Sequence, residues 1–501
     1  MIHPLRIATV FCVLACGLGC GGGGVAPLGG GGGGGGASAT VTISNNVNGK
    51  FGLAMATSFQ PAEWDYTFFQ DFPGATTTLG NLQPHHVRLQ GISQGVPQTS
   101  AATWDFSILD AITQPVLGVG DHSPEFQIAK APAYMYGGGN SGNSFLDTTF
   151  AQFAGYTQNL VKYYNIAGGF VAPDGPHASS SGLPITWWGI YNEPNINNNL
   201  TPRQYVQMYN TVVPAMQAVD PSLKFAAIEL ADFSGQASAW IPPFVSGVNA
   251  QVDVMATHFY SSCNQKDSDE QVFSTVPGFV SDVQFFYSQM GSNPALASVP
   301  LWVTENNVNA DFDAGGGISA CNGTPFVTDL RGSSAFFAAW RPYVFSQLGK
   351  AGVQALYHWD FGADAQFGEV NASSGQVQLS YWVDYWLGRT FPSPPGADLL
   401  QYTTTNNADL EVLPVLNSDG SAVIMVANHT VNAAGDNNGP GGPQTVAVDV
   451  SALGTFSSGS LLVIDANTNL ANGPSAASVT PAAQMTITLN GYGVAFLTLK
   501  P

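Results

Sequence analysis

Between Phe51 and Phe361, eight short apolar segments recur with helical patterns between them, and this alternation limits the possible folds more than any other feature of the chain. The segments are Phe51–Thr57, His85–Ile92, Glu125–Pro132, Thr186–Pro194, Leu223–Leu230, Asp253–Tyr260, Pro300–Asn306 and Ala355–Phe361. Strands this short, each followed by a helix, pair in parallel and carry their crossover helices on the outside. Eight such units predict a (β/α)8 barrel, typically of about 250 residues with insertions to beyond about 400. The helices have signals of their own. Thr201-Pro202-Arg203-Gln204 is a capping box with proline at the first helical position, followed at helical spacing by Tyr205, Met208, Tyr209 and Val212. Phe150, Phe153, Ala154, Thr157, Leu160, Val161 and Tyr164 repeat that stripe, as do Phe336, Phe337, Trp340 and Val344, and such stripes are core.

At 501 residues the chain exceeds what one core usually covers, so a second unit is expected. After Pro392-Ser393-Pro394-Pro395 the pattern changes to short alternating strands at Ala422–Ala427, Thr445–Val450, Leu461–Asp465 and Met485–Leu499. They predict a small all-β sandwich over 395–501, behind a barrel unit over 39–394. The strand Thr40–Ser44 is a candidate to pair with that sandwich and clamp the ends of the chain together. At the N-terminus, Arg6 precedes an apolar stretch, Ile7–Leu18, too short to span a bilayer. Residues 1–20 read as a signal peptide, of lipoprotein type with Cys16 or Cys20 modified, although neither cysteine fits that pattern cleanly and plain secretion is the alternative. Residues 21–38, with the unbroken run Gly29–Gly36, read as a flexible tether. The expected location is the cell surface or periplasm, on the outer surface of a membrane through an N-terminal lipid, or otherwise the medium.

With 33 acidic and 13 basic residues the net charge is -20, which argues against nucleic acid and anionic headgroups as partners. The eight histidines show no paired metal spacing, and the polyglycine lacks the Lys-Ser/Thr and helix of a phosphate loop, so neither metal nor cofactor is implied. Gly91-Ile92-Ser93-Gln94-Gly95 matches a serine-hydrolase elbow, but Pro97 follows where its helix would begin. Leaving aside Cys12, Cys16 and Cys20 of the leader, Cys263 and Cys321 remain as an even pair. In an oxidising compartment they are expected to form a disulfide, the alternative being two buried thiols.

Active sites of such barrels lie at the C-terminal strand ends, so polar groups there are the candidates for chemistry. The fourth segment runs Trp187-Trp188-Gly189-Ile190-Tyr191 into Asn192-Glu193-Pro194, and the seventh runs Leu301-Trp302-Val303 into Thr304-Glu305-Asn306. Ends four and seven face each other across a barrel. Two carboxyl groups about 5 to 5.5 Å apart are what a retaining glycosidase needs, one to protonate the leaving oxygen and one to attack the anomeric carbon. Arg88 ends the second segment, Thr257-His258-Phe259-Tyr260 the sixth and His358-Trp359 the eighth, a concentration of polar and aromatic groups on one rim.

Arg88 in Val-Arg-Leu-Gln-Gly, Trp104 to Asp110, the run from Trp188 into Asn192-Glu193-Pro194-Asn195, the Thr-His-Phe-Tyr segment and Thr304-Glu305 together resemble clan A glycoside hydrolases over roughly residues 50 to 390. The likeness is greatest to family 39, which holds β-xylosidases and α-L-iduronidases, with families 51 and 79 as neighbours. The resemblance implies that Asn192 holds the sugar 2-hydroxyl, that Glu193 acts as acid and then base, and that Glu305 is the nucleophile. It further implies that Arg88 and Tyr260 keep Glu305 ionised, that His258 borders the pocket and that Trp359 floors the first subsite. The chain departs from the family where Gln90 replaces a histidine, where Lys130 ends the third segment, and where Asn306 and Asn307 follow the catalytic glutamate. Those departures put the sugar in doubt. A β-xylosidase-like activity is expected, with arabinofuranosidase or β-glucuronidase specificity, or a glycan-binding lipoprotein without catalysis, as alternatives.

Overall fold

The structure, a computed structural model, describes residues 38–60, 66–90, 95–119, 125–196, 200–231, 237–391, 396–406 and 408–501. The leader with Cys16 and Cys20, nearly all of the glycine tether, residues 91–94 of the elbow-like motif and the proline linker 392–395 lie outside these residues. Among the described residues no helix is long and apolar enough to cross a membrane.

Eight strands close into a barrel, all parallel to their neighbours. They are β1 (Ala54–Phe59), β2 (Val87–Leu89), β3 (Glu125–Ile128), β4 (Trp187–Ile190), β5 (Lys224–Leu230), β6 (Val254–Ser262), β7 (Leu301–Asn309) and β8 (Ala355–His358). Each coincides with one of the eight segments expected from the sequence. The first begins three residues late because Phe51 ends a different strand. Alternation along the strands divides two environments. Ala56, Ala226, Val254, Ala256, Trp302, Ala355 and Tyr357 fill the interior, whereas Met55, Phe59, Phe126, Ile128, Trp188 and Ile190 join the main core beneath the helices. Helix Pro202–Gln217 opens with the capping box in full, Thr201 accepting from the Gln204 N–H and Gln204 reaching back, and Tyr205, Met208, Tyr209 and Val212 are all buried.

The second unit is a nine-stranded sheet wrapped around its own core. Strand Met485–Leu499 of the sequence reading is two strands, Gln484–Leu489 and Gly493–Lys500, separated at Asn490–Tyr492. Strands Ala397–Thr404 and Leu410–Leu416 went unnoticed in the sequence. Strand Ser38–Phe51 lies inside this sheet, antiparallel to Ala397–Thr404 and parallel to Gln444–Asp449. The central strands bury both faces. Val412, Ile424, Val426, Leu497 and Leu499 face the sheet's own core, while Leu413, Val415, Val423, Met425 and Phe496 join the barrel core.

Phe51 carries the N-terminal strand into the barrel. Its ring lies 5.3 Å from Phe345 and 5.6 Å from Phe391, and a Cβ on Gly349 would sit 2.2 Å from it. No larger residue fits at 349 without expelling the ring. Because Phe51 is fully buried between the two units, Phe51→Ala is expected to cost about 3–5 kcal/mol in urea denaturation monitored by tryptophan fluorescence.

Candidate active site

Arg88 is the fully buried centre of the site. Its Nη1 donates to Glu305 Oε1 at 2.8 Å, its Nη2 to Asn192 Oδ1 at 2.8 Å and its Nε to Glu229 Oε2 at 3.0 Å. One planar fork thereby fixes side chains from β5, β7 and the end of β4, which a lysine's single ammonium could not do. Gln90 Oε1 lies 3.4 Å from Nη1, so the residue standing where the resembled family has a histidine still touches this fork. The Tyr260 hydroxyl donates to Glu305 Oε2 at 2.9 Å, so both oxygens of Glu305 are held.

His258 joins the two carboxylates. Its Nδ1 is 2.9 Å from Glu193 Oε1 and 3.4 Å from Glu305 Oε2, and one oxygen of each glutamate lies within 4.8 Å of the other. Their exposures differ, 16% for the Glu193 side chain and 6% for that of Glu305, so Glu193 sits nearer the mouth. Trp359 packs with Ala363 and Phe367, and Tyr260 and Phe312 adjoin that cluster at the pocket side. The Asn306 amide donates to the Phe259 carbonyl at 2.6 Å, and that of Asn307 to the Trp359 carbonyl at 2.5 Å. The two asparagines that depart from the resembled family therefore brace β6 and the Trp359 segment.

One expectation is corrected. His358 does not belong to the rim: its Nδ1 lies 2.8 Å from Asp384 Oδ2 and its ring packs edge-on to Phe337, between β8 and the helices, because alternation along β8 points Tyr357 inward and His358 outward. Two residues that the sequence reading missed lie below Arg88. Glu229 binds it, and Glu125 Oε1 comes within 3.9 Å. The signal was a carboxylate within the apolar run Phe225–Leu230 and the alternation of Glu125-Phe126-Gln127-Ile128, both of which were absorbed into strand assignments.

Burial raises Glu305 above the ordinary glutamate range. Neighbouring His258 and Arg88 pull it down, Glu193 pushes it up, and the Tyr260 hydrogen bond lowers it, so the donors limit the rise without reversing it. Burial lowers His258 to about 4, leaving a neutral imidazole near pH 7. Burial would also lower Arg88, but Glu229, Glu305 and Glu125 raise it, and it remains charged. Glu125 is pushed up to about 8 by burial and the Glu229 charge, against the pull of Arg88. Two sets of residues bring metal-capable atoms together, Glu193 with His258 and Glu305, and His358 with Glu369 and Asp384. Each already has an arginine as its cation, Arg88 on Glu305 and Arg341 at 2.9 Å from Asp384. The disulfide is formed between Cys263, just after β6, and Cys321, in the loop after β7, with Cα atoms 5.8 Å apart. It ties two loops at one side of the mouth.

Residues 183–324, which span the two glutamates, match the family described as glycosyl hydrolase catalytic core. The match covers β4 to β7 of the barrel. Its fold is similar to that of a monomeric β-xylosidase from Caulobacter crescentus CB15, at 16% identity and a TM-score of 0.62 over 92% of this chain and 99% of that one. It is also similar to an α-L-arabinofuranosidase from Thermotoga maritima, at 12% identity and 0.64 over 93% and 100%, and to a family 30 xylanase C catalytic domain from Talaromyces cellulolyticus, at 16% and 0.60 over 92% and 100%. No curated protein matches the sequence.

In the nucleophile role that the resemblance implies, Glu305 must be ionised, so the rate falls as pH drops through its pKa. Tyr260→Phe removes a donor that lowers this pKa, and the acid limb of kcat/KM should therefore move to higher pH. A pH series on an aryl glycoside checks the direction.

Proposed function

We propose that this protein is a retaining glycoside hydrolase that cleaves O-glycosidic bonds of oligo- or polysaccharides by double displacement, with β-xylosidase-like specificity. The observation that carries the reading is the pair Glu193 and Glu305, with oxygens within 4.8 Å of each other. That spacing suits direct attack, whereas an inverting pair stands about 6.5–9.5 Å apart to admit a water between carboxylate and sugar.

In the first step Glu305 attacks the anomeric carbon while Glu193 gives its proton to the departing oxygen, leaving a glycosyl ester on Glu305. In the second, the Glu193 carboxylate takes a proton from water, which attacks the same carbon and releases Glu305. Arg88 and Tyr260 hold both oxygens of Glu305 in place for attack and for departure. Because Asn192 Oδ1 accepts from Arg88, its Nδ2 is the atom left to donate to a sugar hydroxyl beside the nucleophile, in keeping with the 2-hydroxyl role that the resemblance implies. Trp359 and Phe312 supply apolar surface for the sugar's C–H face.

The preference for xylose follows the likeness to the Caulobacter enzyme and to family 39. An aryl glycoside panel of β-xylosides, α-L-arabinofuranosides, β-glucosides and β-glucuronides tests it, with fastest turnover expected on the xyloside. Glu305→Gly should abolish hydrolysis, and full activity in that variant would remove the basis of the reading. Glu193→Ala should slow poorly activated substrates about 10²–10⁴-fold while sparing those whose leaving group needs no proton.

The protein also belongs outside the cytoplasm in this reading, tethered by a lipid on Cys16 or Cys20. Support comes from the apolar stretch Ile7–Leu18, the glycine run that follows it, and a disulfide suited to an oxidising compartment. Fractionation of cells expressing the full chain should find it in the membrane fraction, and a Cys16→Ala, Cys20→Ala double variant should be released.

A further inference from the structure

Glu229 has no part in the two displacement steps, yet the backbone is strained to place it. Ile228 and Glu229 have φ of +79° and +37°, conformations that cost non-glycine residues about 1–3 kcal/mol each. Pairing of β5 with β6 breaks between Ala227 and Leu230. The Ile228 N–H donates instead to the Tyr205 hydroxyl at 2.9 Å, which donates in turn to the Ile190 carbonyl at the end of β4, also at 2.9 Å. Across this junction the Glu229 carbonyl accepts the backbone N–H of Glu193 at 3.0 Å, and Glu193 itself has φ +45°. The strained ends of β4 and β5 are thus fastened to each other at the acid/base. Gly189 leaves room for the result, since a Cβ there would lie 2.1 Å from Glu229 Oε1.

The carboxylate so placed faces the far side of the His258 ring. Glu229 Oε2 is 4.0 Å from Nε2, while Nδ1 of the same ring is 2.9 Å from Glu193 Oε1. Among the described residues Nε2 has no hydrogen-bond partner, and neither has Glu229 Oε1. We infer that Glu229 is a positioning residue that sets the tautomer of His258, drawing the ring proton to Nε2 so that Nδ1 is an acceptor holding the acid proton on Glu193. The inference rests on Glu193 being the acid/base.

The opposite tautomer has two costs. A proton on Nδ1 would donate to Glu193 and stabilise its carboxylate, the wrong form for the first displacement, and it would turn the bare lone pair of Nε2 toward a buried negative charge. Other charged groups surround the ring. Glu305 Oε2 lies 3.4 Å from Nδ1, farther than Glu193 Oε1 at 2.9 Å, and accepts from the Tyr260 hydroxyl. Arg88 sits between Glu305 and Glu229, Tyr260 lies on the ring's own strand, and Glu125 is held as a neutral acid near pH 7 by its raised pKa. Because burial keeps the ring uncharged in the working range, only the tautomer remains to be chosen, and Glu229, whose Oε2 lies 4.0 Å from Nε2, chooses it through its charge.

Nitrogen-15 NMR of the histidine-labelled full chain reads the tautomer directly, with His258→Asn used only to assign the signal. The expected result is a proton on Nε2 in the native protein. Glu229→Gln removes the negative charge that faces Nε2, so the proton should move to Nδ1. The alkaline limb of kcat/KM, set by loss of the Glu193 proton, should then move to lower pH by about one unit, while Glu229→Asp, which keeps the charge, should leave both readouts near native. A proton on Nδ1 in the native resting protein overturns the inference even if Glu229→Gln fails to fold. So does a uniform loss of rate in Glu229→Gln with the alkaline limb unmoved. The tautomer is read without substrate, so failure of this inference in an active enzyme leaves the glycosidase reading intact.

Discussion

The guanidinium of Arg88 is the interaction on which the upper half of the barrel depends. It is fully buried, and three glutamates surround it, Glu305 at 2.8 Å, Glu229 and Glu125. One positive charge cannot balance three negative ones in a medium that solvates neither, because each unpaired buried charge costs several kcal/mol. The chain meets this in two ways. Glu125, farthest from the arginine, is pushed up to about 8 and keeps its proton near neutral pH, and the Glu305 carboxylate gains the Tyr260 hydroxyl as a second donor. What remains is a Glu305 with both oxygens fixed and a pKa still above the ordinary range, because burial outweighs the donors. Arg88 is therefore more than a partner of Glu305. By binding Asn192 and Glu229 as well, it locks the ends of β4, β5 and β7 into one register.

Such a cluster needs space, and the barrel provides it by making other positions small. Gly189 leaves β4 without a side chain where Glu229 and Glu125 converge, and alanines on β1, β5, β6 and β8 dominate the layer beside Trp302 and Tyr357. Outside the wall a second polar network repeats the pattern. Arg341 holds Asp384 at 2.9 Å and binds the Asn306 amide oxygen, and Asp384 in turn meets His358 at 2.8 Å. Asn306 adjoins Glu305 in sequence, so the charge network between barrel and helices braces the strand that carries Glu305. The same helix that presents Arg341, Ala335–Lys350, also faces the accessory sheet through Lys350, which pairs with Glu411. Sheet, helix and catalytic strand form one continuous packing path.

The barrel was legible because its signals are local: apolar segments of strand length, a capping box, and stripes at helical spacing. Glu193 and Glu305 were legible because a carboxylate at the end of an apolar strand has little structural use. Glu229 and Glu125 were not, although they are no less buried, since a charged residue within a strand gives no sign of which way it points until the neighbouring strands are placed. In Glu229 the direction is set by a bulge that no local pattern announces, with positive φ at a β-branched isoleucine and a glutamate. His358 failed in the opposite sense. Its position beside Trp359 suggested the rim, but side-chain direction reverses at every residue of a strand, and one step separates the pocket from the helix layer. The strand Ser38–Phe51 was legible as a strand and as a partner of the C-terminal sheet, but not as the element whose last residue packs against Phe345 and Phe391.

Glu193 and Glu305 illustrate why position along the barrel axis matters more than identity. Both are glutamates at strand ends, and one histidine nitrogen touches both. Glu305 lies deeper, pinned by a cation and a phenol that stabilise its charge; Glu193 lies nearer the mouth, where the neutral His258 is its close partner and an arriving sugar would exclude water. A double displacement needs one group that can give up a proton and another that already has, and the difference must persist in the resting protein. Here it comes from geometry: the arginine reaches the deeper carboxylate, whereas the outer one meets a ring whose charge burial has removed. Exchanging the residues would change nothing chemically. Exchanging their neighbours would reverse their roles.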